Sequence, residues 1–280
     1  MYPKISVITP SYNQAQFLEQ TIQSVIGQNY PNLEYIIVDG GSTDGSPAII
    51  KKYEAFLTWW VSEKDDGQAH AINKGLQRCT GDIICWINSD DLYLPNTLHT
   101  VAQHFTNHEP LLLLGNCILF EQDRPRAVQG TDVVSYETKF DLKLFDYVVQ
   151  PSTFWSRAVL QSIGLLHQEL HYTFDWEWFL RAKSGGIPFK PVNTIFSMYR
   201  FHSTHKSGAG GEARHLEIMK FYEQFNTSSQ QKALQRIFYL RSLLKKYPLI
   251  NVILRERFRY PLFFRYLVSR KDYQSIRRVS

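Results

Sequence analysis

Gly81-Asp82-Ile83-Ile84-Cys85-Trp86-Ile87-Asn88-Ser89-Asp90-Asp91 is the stretch on which the reading of this chain turns. The unbroken apolar run over residues 83–87 is what a strand covered on both faces requires, and it stops at Asn88, Ser89 and two adjacent carboxylates. Chemistry is therefore expected at a strand's carboxyl end, where open α/β sheets bind their ligands. Adjacent carboxylates there suit a hard divalent cation that also takes phosphate oxygens from a substrate. The plainer reading is a solvated turn leading to a helix, since Leu94-Pro95-Asn96 follows.

Outward from this stretch, apolar blocks and turn residues alternate. Residues 4–10 read as a β-branched strand closed by Pro10, 33–38 as a second buried strand and 56–61 as a third. Helices are expected between them. Phe17, Leu18, Ile22, Val25 and Ile26 recur at helical spacing before Gly27, Ser46 is placed to cap a helix with Pro47 in its first turn, and residues 69–79 form another. Further on, 95–105 reads as helix, 111–120 as strand, 154–163 and 175–184 as helices, and 189–199 as strand, with the pattern blurred between 121 and 147. Strands alternating with helices over short connections predict an α/β fold, a Rossmann-like, mostly parallel sheet flanked by helices. The loops that leave its strands would gather on one edge. Ser207-Gly208-Ala209-Gly210-Gly211 reads as a joint, followed by helices over 212–225 and 230–245.

The length of 280 residues allows one substantial domain with an appendage. Cys79, Cys85 and Cys117 follow no zinc spacing and leave an odd count, so no disulfide framework is expected and a reducing cytosol fits. No cationic leader with an apolar stretch precedes Lys4, and nowhere do 18 apolar residues run together, so neither export nor a membrane span is expected. The net charge of +5 is uneven: residues 232–280 hold 13 Lys and Arg against Glu256 and Asp272, leaving the remainder net acidic.

The order of motifs resembles the family 2 glycosyltransferases, which have the GT-A fold. Thr9-Pro10-Ser11-Tyr12-Asn13, then Val38-Asp39-Gly40-Gly41-Ser42-Thr43-Asp44-Gly45-Ser46, Ala71-Ile72-Asn73-Lys74-Gly75, Gly81-Asp82-Ile83-Ile84 and Asn88-Ser89-Asp90-Asp91 stand in that family's sequence and spacing. The likeness is dense over about the first 95 residues, thins towards 205 and does not cover the tail. It implies transfer of a sugar from a nucleotide diphosphate donor, usually a UDP-sugar, to a hydroxyl acceptor with inversion. A saccharide or lipid-linked acceptor in cell-surface polysaccharide or glycolipid synthesis would fit. Residues 1–207 would then be the GT-A domain, with a nucleotide-sugar half (1–120) and an acceptor half (121–207), and 208–280 a helical, basic extension.

The resemblance also implies roles for residues. Pro10, Ser11 and Tyr12, Asp39, Gly41 and Ser42, Asp65 and Gln68, Lys74, and Asn88, Ser89 and Asp90 would bind the nucleotide sugar. Asp39 matches the carboxylate that accepts from the nucleobase ring N–H. Many relatives carry a second Asp where Gly40 stands. Asn88-Ser89-Asp90 matches the family's Asp-X-Asp motif, which holds Mn²⁺ or Mg²⁺ against the diphosphate. With Asn88 in the first place, Asp90 becomes the principal metal ligand, Asp91 its helper, and His202 a third candidate toward metal or diphosphate. Asp175, at the start of Asp175-Trp176-Glu177-Trp178-Phe179-Leu180-Arg181, matches the base that takes the acceptor proton. A helix cap, with Glu177 pairing Arg181, is the structural alternative. Arg200 and Lys206 are further candidates for phosphate.

Two rivals are weighed against this reading. A sugar nucleotidyltransferase shares the sheet but wants a glycine-rich basic loop after the first strand, which 9–13 lacks. A catalytically silent nucleotide-sugar-binding scaffold is made conceivable by Asn88. The basic, aromatic tail suits an anionic membrane surface as well as it suits packing on the domain, which would put the protein in the cytoplasm or on the inner face of its membrane. Nucleic acid is not expected as a partner, since no recognised motif accompanies the charge.

Overall fold

The computed structural model describes residues 2–106, 109–122, 124–143, 145–202, 211–225 and 228. In chain order it contains β1 (Ile5–Ser11), α1 (Ala15–Ile26), β2 (Leu33–Asp39), α2 (Ser46–Lys52), β3 (Trp59–Ser62), α3 (Gln68–Arg78), β4 (Ile83–Trp86), β5 (Leu92–Tyr93) and α4 (Thr97–Ala102). There follow β6 (Leu112–Glu121), β7 (Arg124–Gly130), α5 (Val133–Lys139), β8 (Thr153–Ser156), α6 (Arg157–Ile163), α7 (Phe174–Ser184), β9 (Phe189–Phe201) and α8 (Gly211–Phe225). Among the described residues these strands form one nine-stranded sheet in the order β3-β2-β1-β4-β8-β6-β9-β5, with β7 paired to β6.

The first four strands are parallel, as the strand–helix alternation predicts. Their residues are apolar on both faces because helices cover both: Ile5, Val7, Ile8, Ile36, Ile37, Val38 and residues 83–87 are all buried. Beyond β4 the sheet becomes mixed. β8 lies antiparallel between β4 and β6, and β9 runs parallel to β6.

Several local expectations need correction. Residues 154–163 are not one helix: Thr153–Ser156 is a fully buried strand and α6 starts at Arg157. A short apolar run such as Phe154-Trp155 has no period by which strand and helix differ. The third strand begins at Trp59, after a 3-10 turn over Glu54–Phe56. Ser46 is the first residue of α2 rather than its cap, and its N–H donates to Asp44 Oδ1 at 2.9 Å. Two further strands, β5 of two residues and β7 of seven, lie where no strand is expected from the sequence. The helix expected over 230–245, the joint at 207–210 and the basic tail lie outside the described residues.

The core is centred on aromatic rings behind β4. Trp86 packs edge-on against Trp155 and Trp178, with centroids 5.2 and 6.4 Å apart, and stacks on Phe179. Ile218 of α8 is also buried in this core, so the first helix after the glycine joint is part of the main body. Cys79, Cys85 and Cys117 are free and buried. No helix among the described residues is long and apolar enough to cross a membrane.

At the amino end of the sheet, the buried carboxylate of Glu34 ties β2 to β1 and β4. It accepts from Thr80 N and Thr80 Oγ1, each at 2.6 Å, from Ser6 Oγ, and from Lys4 Nζ at 2.9 Å. Burial pushes its pKa up, but these donors outweigh burial and hold the carboxyl down at about 2. A depressed carboxyl stabilises the fold above its ordinary value of 4.5 and loses that contribution as pH falls toward 2. Glu34→Ala strands the Ser6 and Thr80 donors and should cost about 1–3 kcal/mol in urea unfolding at pH 7. The difference from wild type should shrink steadily in melts taken from pH 5 to pH 2.5.

Candidate active site

Register builds the site. In the parallel ladder Ser11 lies opposite Asp39, and Asp39 opposite Ser62, so three strands end in polar side chains at one level. They open on a cavity of about 1090 Å³. Pro10, Ser11, Tyr12, Asp65, Gln68, Asn88, Ser89, Asp90 and Asp175 all line it. That volume exceeds the few hundred Å³ of an ordinary small-ligand pocket and leaves room for two substrates. Ser11 Oγ is buried with no protein partner, and Tyr12 is 61% exposed at the same loop.

Asp39 lies one layer deeper and does not line the cavity. Its carboxylate accepts from Ser42 N (2.9 Å), Ser42 Oγ (2.5 Å) and Ser62 Oγ (2.6 Å). A carboxylate has about four acceptor directions, three of which these serines take, and the side chain is fully buried. Gly41 turns the loop at a positive φ of 78°, which strains any side chain. Gly40 is needed for a different reason: a Cβ there would sit 2.6 Å from the Asp65 carboxylate. Asp65 thus fills the space that a side chain at position 40 would take. Lys74 is drawn away from the cavity by Glu63, 2.8 Å distant. Among the described residues Lys64 is the lysine that lines the cavity.

The Asn88–Asp91 loop is fixed by a relay of amides. Gln150 Nε2 donates to the Trp86 carbonyl at 2.7 Å, which turns Gln150 Oε1 toward Asn88 Nδ2 at 3.2 Å. That same Nδ2 lies 3.4 Å from Asp91 Oδ2, and Asn88 Oδ1 accepts from Gln68 Nε2 at 2.8 Å. An aspartate at 88 would set a carboxylate against both Gln150 Oε1 and Asp91. The amide is therefore the side chain this environment selects.

Asp91 faces inward, 1% exposed, and accepts from Arg200 N at 3.1 Å. Burial, and then the neighbouring Asp90 charge, raise its carboxyl well above the usual range. This geometry does not suit its expected part as metal helper. Arg200 is no phosphate ligand here either. Its guanidinium is buried between Phe17 and Phe120 and donates to the Asp90 carbonyl and to Gln20 and Gln122. The pairing of β5 with β9 brings His202 to Asp90, with Nε2 and Oδ2 2.9 Å apart.

On the far side of the chain order, Asp175 is the second residue of α7 and its Oδ1 accepts from Trp176 N at 2.8 Å. The turn before it is held from α8. Glu217 accepts from His171 N (2.8 Å), Tyr172 N (2.7 Å) and Thr173 Oγ1 (3.2 Å). Glu177 is bound bidentately by Arg181, so it is structural.

Residues 6–163 match the family described as Glycosyl transferase family 2. The chain belongs to this family. An uncharacterised glycosyltransferase of Mycobacterium tuberculosis is 30% identical over 208 residues, 72% of this chain and 76% of that protein. One from Rickettsia typhi is 28% identical over 192 residues, 65% of this chain, and this chain spans only 60% of its length. A putative teichuronic acid biosynthesis glycosyltransferase of Bacillus subtilis, TuaG, is 40% identical over 99 residues, 34% of this chain and 39% of its own. Among solved structures, Staphylococcus aureus TarS in complex with UDP-GlcNAc superposes with a TM-score of 0.62 at 20% identity, covering 78% of this chain and 65% of that one. The mannosyltransferase PcManGT of Pyrobaculum calidifontis, solved with GDP-Man and Mn²⁺, gives 0.59 at 20%, covering 84% and 68%. These likenesses show the GT-A type fold.

In this family 2 chain the donor set at Asp90 suits a hard cation. A carboxylate that lines the cavity stands beside an imidazole nitrogen, a pair acceptable to Mn²⁺. Among the described residues no three His, Cys, Asp or Glu side chains form a closed cage. Asp90 and His202 would thus hold two positions of such a cation, with phosphate oxygens the natural source of others. Sequence reasoning missed Gln150, Asp146, Lys64, His171 and Glu217. Gln150-Pro151-Ser152 was hidden by the misread strand after it, and Asp146 and Glu217 matter only through folding of distant segments. Glu217→Ala removes the acceptor of two backbone N–H groups. Amide exchange at His171 and Tyr172 should accelerate about 10- to 100-fold in native-state measurements while core amides of β1 stay unchanged.

Proposed function

We propose that this chain is a metal-assisted, inverting glycosyltransferase that moves a sugar from a UDP-sugar to a hydroxyl of a saccharide or lipid-linked saccharide acceptor in cell-surface polysaccharide synthesis. The observation that carries the reading is one cavity lined by both Asp90, with His202 behind it, and Asp175. Nucleotide binding is supported by the unpartnered Ser11 hydroxyl and the cation Lys64 at the cavity wall, with Asp39 held by Ser42 and Ser62 a layer beneath them. UDP is favoured by the family resemblance, and TarS was captured with a UDP-sugar. The name of TuaG supports a wall-polymer acceptor.

In this mechanism Asp175 accepts the proton as the acceptor O–H breaks. The acceptor oxygen bonds the anomeric carbon from the face opposite the diphosphate, and the electron pair of the breaking C–O bond leaves with the nucleoside diphosphate. Mn²⁺ or Mg²⁺, when bound, stabilises the charge that builds on that leaving group. Asp90 and His202 orient the diphosphate end, and Glu217 fixes the turn that presents Asp175. Residues 1–207 with α8 would form the catalytic body.

Calorimetry with UDP-glucose, UDP-GlcNAc and GDP-mannose, with and without Mn²⁺, tests the donor. A UDP-sugar should bind in Mn²⁺, and Asp90→Ala should weaken that binding tenfold or more, on the order of 1.4 kcal/mol. Asp175→Asn should keep donor binding and lower transfer about 10²- to 10⁴-fold. Turnover unchanged in Asp175→Asn would remove it from the chemistry, and a wild type that binds no nucleotide sugar would defeat the assignment.

A further inference from the structure

A second, smaller space of about 150 Å³ adjoins the main cavity, and the two share Leu119, Thr131, Asp146, Val148 and Val149 as walls. Phe145 adds to its apolar lining, and Gln129 of β7 brings an amide to it. Two of its polar groups are already committed. Thr131 Oγ1 accepts from Cys117 N at 2.8 Å, and the Tyr147 hydroxyl donates to Glu137. Asp146 differs. The Val148 N–H of its own segment donates to its carboxyl, yet Oδ1 is buried with no hydrogen-bond partner among the described residues. Other enclosed carboxylates of this chain collect donors on both oxygens: Glu34 from Ser6 and Thr80, Asp39 from Ser42 and Ser62, Glu177 from Arg181. A carboxyl oxygen shut away from water and from donors is costly, and at the wall of a cavity a ligand can supply the missing donor.

We propose that Asp146 and this side pocket form an acceptor subsite for a 2-acetamido sugar, whose amide N–H is accepted by Asp146 Oδ1 and whose methyl enters the apolar pocket. This inference rests on the transferase reading above and names the acceptor class for that same cavity. Size and polarity choose the substituent. A space of this volume holds about six heavy atoms, the size of benzene. An acetamido group fills most of it, while the lone methyl of a deoxy sugar leaves it largely empty. A prenyl chain overruns it and brings no donor to Oδ1. Gln129 is placed to donate to the acetamido carbonyl, so that the whole amide would be matched. Position chooses the sugar: the pocket walls come from residues 119–149, whereas the loops of residues 10–14 and 64–68 line the rest of the cavity. Burial first, and then the Asp175 charge, raise the Asp146 carboxyl well above the usual range, and an N–H brought to Oδ1 acts the other way by favouring the ionised form.

The test is saturation-transfer NMR on the full chain, titrated without nucleotide with the methyl β-glycosides of N-acetylglucosamine and of glucose. The acetamido sugar should bind about tenfold tighter, with its acetyl methyl the most strongly saturated group. Asp146→Ala removes the orphaned carboxyl and should fold at least as well as wild type, which a thermal melt checks. Val149→Phe, which narrows the pocket, is the second variant. Each should weaken binding of the acetamido sugar about three- to tenfold and bring its preference over the glucoside towards one. Equal binding of the two glycosides, or a preference that survives both variants, would overturn the subsite. Calorimetry with UDP-GlcNAc and UDP-glucose separates the two sources of an acetamido group. The ratio of their affinities should stay the same in both variants, and a loss confined to UDP-GlcNAc would give the pocket to the donor sugar and overturn the acceptor assignment. Because the glycoside titration needs no nucleotide, it can fail while nucleotide-sugar binding stands, and it can succeed where that binding fails.

Discussion

Parallel strands that stop at a common level are the constraint on which this molecule depends. Because β1, β2 and β3 pair in register to their last residues, Ser11, Asp39 and Ser62 meet side by side, and the polar groups that follow must share one edge. The apolar sheet interior offers them no partners, since buried carboxylates need several donors and this edge supplies serine hydroxyls and loop N–H groups. The cavity is what remains when these loops, the Gln150 turn and the start of α7 surround the edge without filling it.

The second half of the chain contributes to the same edge by running the other way. β8 is antiparallel to β4, so its start, rather than its end, lies beside the Asn88 loop. Gln150 therefore reaches the Trp86 carbonyl and orients Asn88. β9, pairing with both β6 and β5, returns His202 to Asp90. The two halves of the sheet are thus joined by strand pairing and by side-chain hydrogen bonds across it.

Much of the first half could be read from residues alone. Strands buried on both faces show as continuous runs such as 83–87, glycines mark the loops, and helical spacing is plain in 17–26. The resemblance then named the edge residues, and the structure brings nine of them to the cavity wall. What could not be read were partnerships made by distant segments. Nothing local distinguishes the inward Asp91 from the outward Asp90, since the choice is made by Arg200 N from β9. Lys74 looks like a phosphate ligand until α3 sets it beside Glu63. The strand at 153–156 carries no period because both its faces are covered, and the capture of the 171–173 turn by Glu217 spans more than forty residues.

The three enclosed thiols have a practical meaning for anyone who wishes to watch this protein work. Burial raises Cys79 to about 11 and Cys85 to about 12, and lifts Cys117 further. Thiolate is the reactive form, so native cysteines should ignore maleimide dyes near neutral pH. A single cysteine introduced at an exposed position such as Tyr2 or Phe56 would take a fluorophore cleanly, with no need to strip the natural ones first.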